Sequence, residues 1–111
     1  MGTQAAKAAV LVGLSERRKG LAGEQKAAKQ YREAGWTIRR LDGQGDFLAF
    51  KDGERPRHVE VKNQARLQLP LWLDQVRAEV TPGHVPVVVF PDRYGKLWLC
   101  QPVESLQELA T

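Results

Sequence analysis

Cysteine and long apolar segments are both scarce in this chain of 111 residues. Cys100 is the only cysteine, which excludes an intrachain disulfide and a zinc site built on several cysteines. The apolar run Val10–Val12 is too short for a membrane-spanning helix or for the core of a signal peptide. We therefore expect a cytoplasmic protein that has no membrane partner.

Acidic residues are outnumbered by basic ones, with 13 Asp and Glu against 17 Lys and Arg. The excess lies in residues 1–45, which hold nine basic and four acidic residues, whereas residues 46–111 hold eight and nine. A basic surface favours an anionic partner such as nucleic acid. The candidate DNA contacts in this part are Arg17, Arg18, Lys19, Arg39 and Arg40, although each is also consistent with an ordinary solvated charge.

The length and the order of apolar segments indicate one α/β domain. We expect residues 1–19 to form a basic arm, flexible or weakly docked, and residues 20–111 to form a single domain. The pattern predicts the order α-β-β-β-α-β-β-α, with helices on the faces of a mixed sheet of about five strands. The predicted helices cover residues 21–34, 70–80 and 102–109, and the predicted strands lie at 36–40, 46–50, 59–62, 85–90 and 97–101.

The tetrapeptide at residues 59–62, Val-Glu-Val-Lys, carries a charged pair on a predicted strand. Alternation along the strand sends the two valines to one face and Glu60 and Lys62 to the other. Asp46 heads the preceding apolar run, and the turn signal Asp52-Gly53 predicts a hairpin that brings Asp46 back beside Glu60. This pattern indicates a candidate metal and phosphate site.

The length of the hairpin connection decides whether these two carboxylates share a face. A two-residue turn over residues 52–53 pairs Asp46 with Val59 and turns Glu60 away. A three-residue connection over residues 52–54 pairs Asp46 with Glu60. A catalytic site therefore requires the odd-length connection, or a bulge or bend near Asp46.

Two carboxylates on one face form a site for a hard cation such as Mg²⁺ or Mn²⁺. Such a cation lowers the pKa of bound water and neutralises charge that develops on a phosphate. Lys62 can stabilise the same charge or orient the attacking water. Glu24 on the first helix and Gln75 on the second are candidates for a further oxygen ligand and for a polar group that positions water or phosphate.

Each of these residues also has a purely structural interpretation. Glu60 and Lys62 taken alone are typical of a solvated strand face, and Asp46 can cap the loop that precedes it. Glu24 and Gln75 can be ordinary positions on helix surfaces.

A histidine and three tryptophans allow two interpretations each. His58 lies on the face of Glu60 and can contact substrate, but a partly exposed structural histidine is the simpler interpretation. Trp36, Trp72 and Trp98 are expected in the core or in an interface, with an exposed Trp72 as an alternative contact for nucleic acid.

Five segments, taken in order, resemble the PD-(D/E)XK nuclease superfamily, and within it the Holliday-junction resolvase-like proteins of archaea and phages. The resemblance spans about residues 19–109. Gly45 stands where many members have proline, and the loop before it is shorter than the flexible segment that resolvases often carry. The five segments are Gly23-Glu24, Gly35-Trp36, Gly45-Asp46-Phe47, Val59-Glu60-Val61-Lys62 and Asp74-Gln75-Val76.

The resemblance implies a restriction-endonuclease-like core that binds divalent metal, Mg²⁺ or Mn²⁺. It further implies that Lys62 is catalytic and contacts DNA, and that Gln75 is the glutamine of the following helix. The implied metal ligands are Glu24, Asp46, Glu60 and the backbone carbonyl of Val61.

The resulting hypothesis is a metal-dependent, structure-specific DNA endonuclease, a Holliday junction resolvase of recombination and repair in a bacterial or phage-infected cell. Because a four-way junction has two-fold symmetry, such an enzyme is expected to be a homodimer. Two alternatives remain open from the sequence. One is a repair or restriction-like nuclease that acts on flaps or duplex DNA. The other is a non-catalytic nucleic-acid-binding module with the same fold.

Overall fold

The computed structural model describes residues 22–41, 46–64 and 66–106, and their fold is α/β with a five-stranded sheet. Helix α1 covers residues 22–33 of this part, and helix α2 is Leu69–Glu79. A 3-10 helix, Val103–Leu106, follows the last strand. The strands are β1 (Thr37–Arg40), β2 (Asp46–Phe50), β3 (Arg57–Val61), β4 (Val85–Pro91) and β5 (Leu97–Cys100).

The strands lie in the sheet in chain order, β1-β2-β3-β4-β5. Only β3 and β4 are parallel, and the other three pairs are antiparallel. A parallel pair needs a crossover connection, which α2 supplies. Because β2 runs against β3 and β4, Asp46 at the start of β2 lies at the same edge as Val61 and Pro91 at the ends of β3 and β4. This edge is called the carboxyl edge below.

Helix α1 covers one face of the sheet with small and aromatic side chains. Ala27 and Ala28 are buried in the same cluster as Phe47, because alanine lets the helix approach the strands closely. Tyr31, one turn later, makes edge-on contacts with Trp36 and Phe47, with ring centroids 5.7 and 5.6 Å apart. This is the apolar stripe that the sequence predicts for the first helix.

Helix α2 covers the opposite face. Trp72 and Val76, one turn apart, are each only 2% exposed and pack in one cluster with Val88 of β4. The ring of Phe90 lies beside that of Trp72, with centroids 6.1 Å apart. Strand β4 is therefore buried on both faces, as its continuous apolar run predicts.

The predicted fold class, a mixed five-stranded sheet flanked by helices, is confirmed. The predicted terminal helix begins instead as a 3-10 turn, because the carbonyl of Pro102 accepts hydrogen bonds from the backbone N and the Oγ of Ser105, at 3.1 and 2.6 Å. Residues 107–109 of that prediction and the arm at 1–19 lie outside the described residues. Neither helix in the described part has the length and hydropathy needed to cross a membrane.

The buried ring of Tyr31 predicts a loss of stability in alkali. Burial raises the pKa of Tyr31 from 10.0 to about 12, although the charge of Arg57 opposes the shift. Unfolded Tyr31 therefore ionises first, and the free energy of unfolding falls between pH 10 and pH 12. We expect Tyr31→Phe, which keeps the ring, to avoid about 2 kcal/mol of that loss.

Urea denaturation at pH 8, 10, 11 and 12 measures this difference. Tyr94→Phe is the matched control, because Tyr94 is 84% exposed. Parallel pH curves for Tyr31→Phe and the natural protein would contradict the prediction.

Candidate functional site

The register of the β2–β3 hairpin places Asp46 directly opposite Glu60. The chain reverses between Lys51 and Glu54, where the backbone N of Glu54 donates to the carbonyl of Lys51 at 3.1 Å. Gly53 adopts a φ of +78° in this turn, a conformation that costs glycine little. The predicted pairing of Asp46 with Glu60 is confirmed, but the strands end at Phe50 and resume at Arg57, so the connection is longer than the three residues expected. Both carboxylates lie on the α2 face of the sheet, because alternation sends their neighbour Phe47 to α1.

Asp46 is buried, with an exposed fraction of 2%, and a histidine holds one of its oxygens. The Nε2 of His58 lies 2.6 Å from Asp46 Oδ2. The Nδ1 of His58 accepts the backbone N–H of Thr81 at 3.0 Å, so the ring proton is on Nε2 and is donated to the carboxylate. Hydrogen bonds of this kind orient the carboxylates of metal sites.

Glu60 and Lys62 form an ion pair at the carboxyl edge. The Nζ of Lys62 donates to Glu60 Oε1 at 2.9 Å. The side chain of Lys62 is 18% exposed and that of Glu60 is 13% exposed. The backbone N of Lys62 also donates to the carbonyl of Val89 at 2.8 Å, which continues the β3–β4 pairing past Val61. Lys62 is therefore fixed at the edge by its backbone as well as by its ammonium group.

Three acceptor oxygens of predicted site residues are buried and have no hydrogen-bond partner among the described residues. They are Asp46 Oδ1, Glu60 Oε2 and Gln75 Oε1, and Gln75 lies on the helix that covers the same face. A buried polar atom without a partner costs about 1–3 kcal/mol. A divalent cation bound by carboxylate oxygens would remove this cost, so Asp46 and Glu60 fit the metal that the sequence predicts.

Glu24 approaches the same edge from the α1 face. It is buried, and its Oε1 lies 3.5 Å from Nη1 of Arg40. Gly23 packs closely there, since a Cβ at this position would come within 3.0 Å of the Cβ of Asn63. No group of three His, Cys, Asp or Glu residues within the described ranges is arranged to hold a metal. The structure thus brings together two carboxylates, and the role of Glu24 as a third ligand stays a prediction.

The other predicted site residues have mixed outcomes. Arg39 is exposed and lies opposite Leu48, on the α2 face. Arg40 forms an ion pair with Glu24. Val61 lies on β3 with its side chain in the α1-face core, and metal binding by its carbonyl stays a prediction. Arg17, Arg18 and Lys19 lie outside the described residues.

The core position expected for Trp72 is confirmed, and the alternative contact with nucleic acid is wrong, because this residue of α2 is only 2% exposed. Trp98, on β5, is 52% exposed, so it does not lie in the core. His58 is 2% exposed and holds Asp46, rather than being partly exposed. The hairpin register offered a signal for His58, because it makes His58 the diagonal neighbour of Asp46. No local pattern points to Thr81.

No protein-family model matches this chain, and no curated protein matches it either. The candidate site therefore stands on its geometry.

The unpartnered oxygens predict that Asp46 lowers the stability of the metal-free protein. We expect Asp46→Asn to raise the free energy of unfolding by about 1 kcal/mol in chelator, because it removes one of two facing charges and adds an amide donor. Chemical denaturation in EDTA measures this change. Asp52→Asn, at an exposed position of the hairpin turn, should have almost no effect. A less stable Asp46→Asn would show that the charge is satisfied within the protein.

Proposed function

We propose that this protein is a metal-dependent DNA endonuclease whose site is formed by Asp46, Glu60 and Lys62. The observation that supports it most is the facing pair of carboxylates, each with one buried oxygen that lacks a hydrogen-bond partner. A domain that only needs to fold gains nothing from this arrangement, since it costs stability. A catalytic carboxylate pair accounts for it.

Asp46 and Glu60 would hold Mg²⁺ or Mn²⁺, with Glu24 and the carbonyl of Val61 as further ligands implied by the resemblance. Such a cation supplies Lewis acidity, which activates water and neutralises charge on a phosphate. The remaining roles belong to the side chains. Lys62, held by Glu60 at 2.9 Å, places a positive charge where the scissile phosphate would lie.

Two neighbouring side chains, His58 and Gln75, support the proposed catalytic groups. His58 donates to Asp46 Oδ2, which leaves Oδ1 as the carboxylate oxygen available to a ligand. Gln75 presents a buried acceptor oxygen from α2, suited to receive a hydrogen bond from an attacking water. Both residues are more than half enclosed by the fold, so their orientation is fixed before substrate binds.

DNA is the proposed substrate because of the basic excess and the nuclease resemblance. Arg39, exposed on the same face as Asp46, is a candidate phosphate contact. The resemblance favours a four-way junction, which would be cut by a homodimer with two sites. We place the protein in the cytoplasm, where such DNA is processed. Nuclease action on flaps or duplex, and DNA binding without cleavage, are the competing functions.

Cleavage assays test the proposal directly. We expect the protein to cut a labelled four-way junction in Mg²⁺ or Mn²⁺ and not in chelator. Glu60→Ala should lower the rate at least about a hundredfold, because one carboxylate of the cation site is lost. DNA affinity in chelator should persist or rise, since a negative charge near phosphate has been removed. The same assay uses a matched linear duplex.

Glu79→Ala is the control, because Glu79 is an exposed carboxylate near the end of α2. Symmetric nicks in the junction alone would identify a resolvase, and equal cutting of the duplex a less selective nuclease. Binding without cutting in any metal would identify a binding module. A Glu60→Ala variant that cuts at the natural rate would refute the site.

The His58 contact predicts an effect on metal affinity. We expect His58→Ala to weaken Mn²⁺ binding by about 10- to 100-fold, because Asp46 loses the donor that orients it. His58→Gln keeps an N–H donor and should recover much of the affinity. Titration calorimetry measures the affinity, and thermal unfolding in chelator measures stability in parallel. Equal Mn²⁺ affinity in all three proteins would mean that His58 serves the core alone.

A further inference from the structure

We propose that a groove beside the carboxyl edge binds unpaired nucleotides of the DNA substrate, with Trp98 in its wall and the exposed Tyr94 of the adjoining turn as stacking surfaces. This inference rests on the proposed nuclease function and specifies the form of its substrate. The groove lies between the segment that precedes α2 and the turn that joins β4 to β5. Its lining residues include Asn63, Gln64, Leu67, Phe90, Arg93 and Trp98.

The groove begins next to the catalytic residues. Asn63 and Gln64 directly follow Lys62 at the end of β3. Phe90 belongs to β4, which is parallel to β3 and ends at the same edge. A DNA strand whose phosphate lies at Lys62 can therefore continue along this groove without leaving the protein surface.

The far wall of the groove is an aromatic ring held in a fixed orientation. Trp98 is 52% exposed, and its Nε1–H donates to Oδ2 of Asp92 at 3.0 Å. Asp92 Oδ1 accepts the backbone N–H groups of Tyr94 and Lys96 at 2.8 and 3.0 Å, which fixes the turn. The hydrogen bond from Trp98, followed by these backbone donors, lowers the pKa of Asp92 and keeps it ionised. The ring is thus oriented before any ligand arrives.

Positive charges lie beside the exposed rings of Trp98 on β5 and Tyr94 in the turn. The Nζ of Lys96 lies 5.4 Å from the ring centroid of Trp98, and the guanidinium of Arg93 lies 5.8 Å from that of Tyr94. Lys26 adds a third cation, because its Nζ donates to the carbonyl of Gly95. Three cations surround a turn that carries one carboxylate, Asp92. An apolar protein partner would not compensate this excess of positive charge, whereas the phosphates of a nucleic acid would.

The combination of aromatic faces and cations favours unpaired nucleotides over duplex. Bases within a duplex are stacked on one another, so a protein ring cannot reach their faces. Single-stranded nucleic acid offers those faces, and base–aromatic stacking beside phosphate contacts is how sequence-independent binders hold it. A flap, a splayed arm or the open centre of a branched DNA supplies such nucleotides.

Fluorescence anisotropy with a short labelled oligo(dT) in EDTA tests the groove without cleavage. We expect Trp98→Ala and Tyr94→Ala each to weaken binding by roughly 5- to 100-fold, because each removes one stacking surface. Trp98→Phe should retain most of the affinity because it keeps an aromatic ring, although it loses the hydrogen bond to Asp92. Leu106→Ala is the matched control, since Leu106 is 72% exposed and lies outside the groove.

The outcomes separate this proposal from the nuclease itself. Failure of the natural protein to bind oligo(dT), or equal affinity of Trp98→Ala and Leu106→Ala, would overturn the groove whatever the junction assay shows. Equal loss in Trp98→Phe and Trp98→Ala would assign the residue to the turn and not to stacking. If Trp98→Ala keeps its DNA affinity but dissociates a dimer in sedimentation, the turn is a protein contact and the proposal fails.

Discussion

Asp46 and Glu60 share a face of the sheet in only one of the two registers that the hairpin signal allows. The β2–β3 hairpin adopts that register, in which Asp46 lies opposite Glu60. The same register makes His58 a diagonal neighbour of Asp46 and leaves Phe47 and Val59 for the α1-face core. A slip of β3 by one residue would turn Glu60 toward the α1-face core and Val59 away from it. The candidate site and the hydrophobic core are therefore fixed together by a single geometric choice.

At the carboxyl edge, the fold satisfies only half of the oxygens of the facing carboxylates with hydrogen bonds. His58 and Lys62 each satisfy one carboxylate oxygen, and the second oxygen of each carboxylate has no partner in the part of the chain that the structure describes. The apolar clusters on the two faces must compensate for this cost. Trp72 and Phe47, both almost fully buried, supply much of that compensation. Stability given up at one edge is typical of a functional site supported by a rigid scaffold.

The sequence predicted the parts of this molecule that depend on local patterns. Alternation and turn residues located the strands, and the hairpin signal predicted Asp46 beside Glu60, although the count across the connection left two registers open. The pairing of Glu24 with Arg40 and the contact of His58 with Thr81 depend on how distant segments pack, which no local pattern encodes. The 52% exposure of Trp98 also depends on the place of its strand in the sheet, which no local pattern encodes. Trp72 lies on the side of α2 that packs against Val88 of β4, whereas Trp98 lies on the last strand of the sheet.

The hydrogen bond between Lys62 and Val89 ties the site to a strand that is made much later in translation. The contact of His58 with Thr81 does the same, since Thr81 follows α2. A nascent chain that ends just beyond Lys62 has every proposed catalytic residue except Gln75, but it lacks the hydrogen bonds with Val89 and Thr81. The polypeptide must include β4 before Lys62 can bond to Val89, so a fragment that stops before β4 lacks this support of the candidate site.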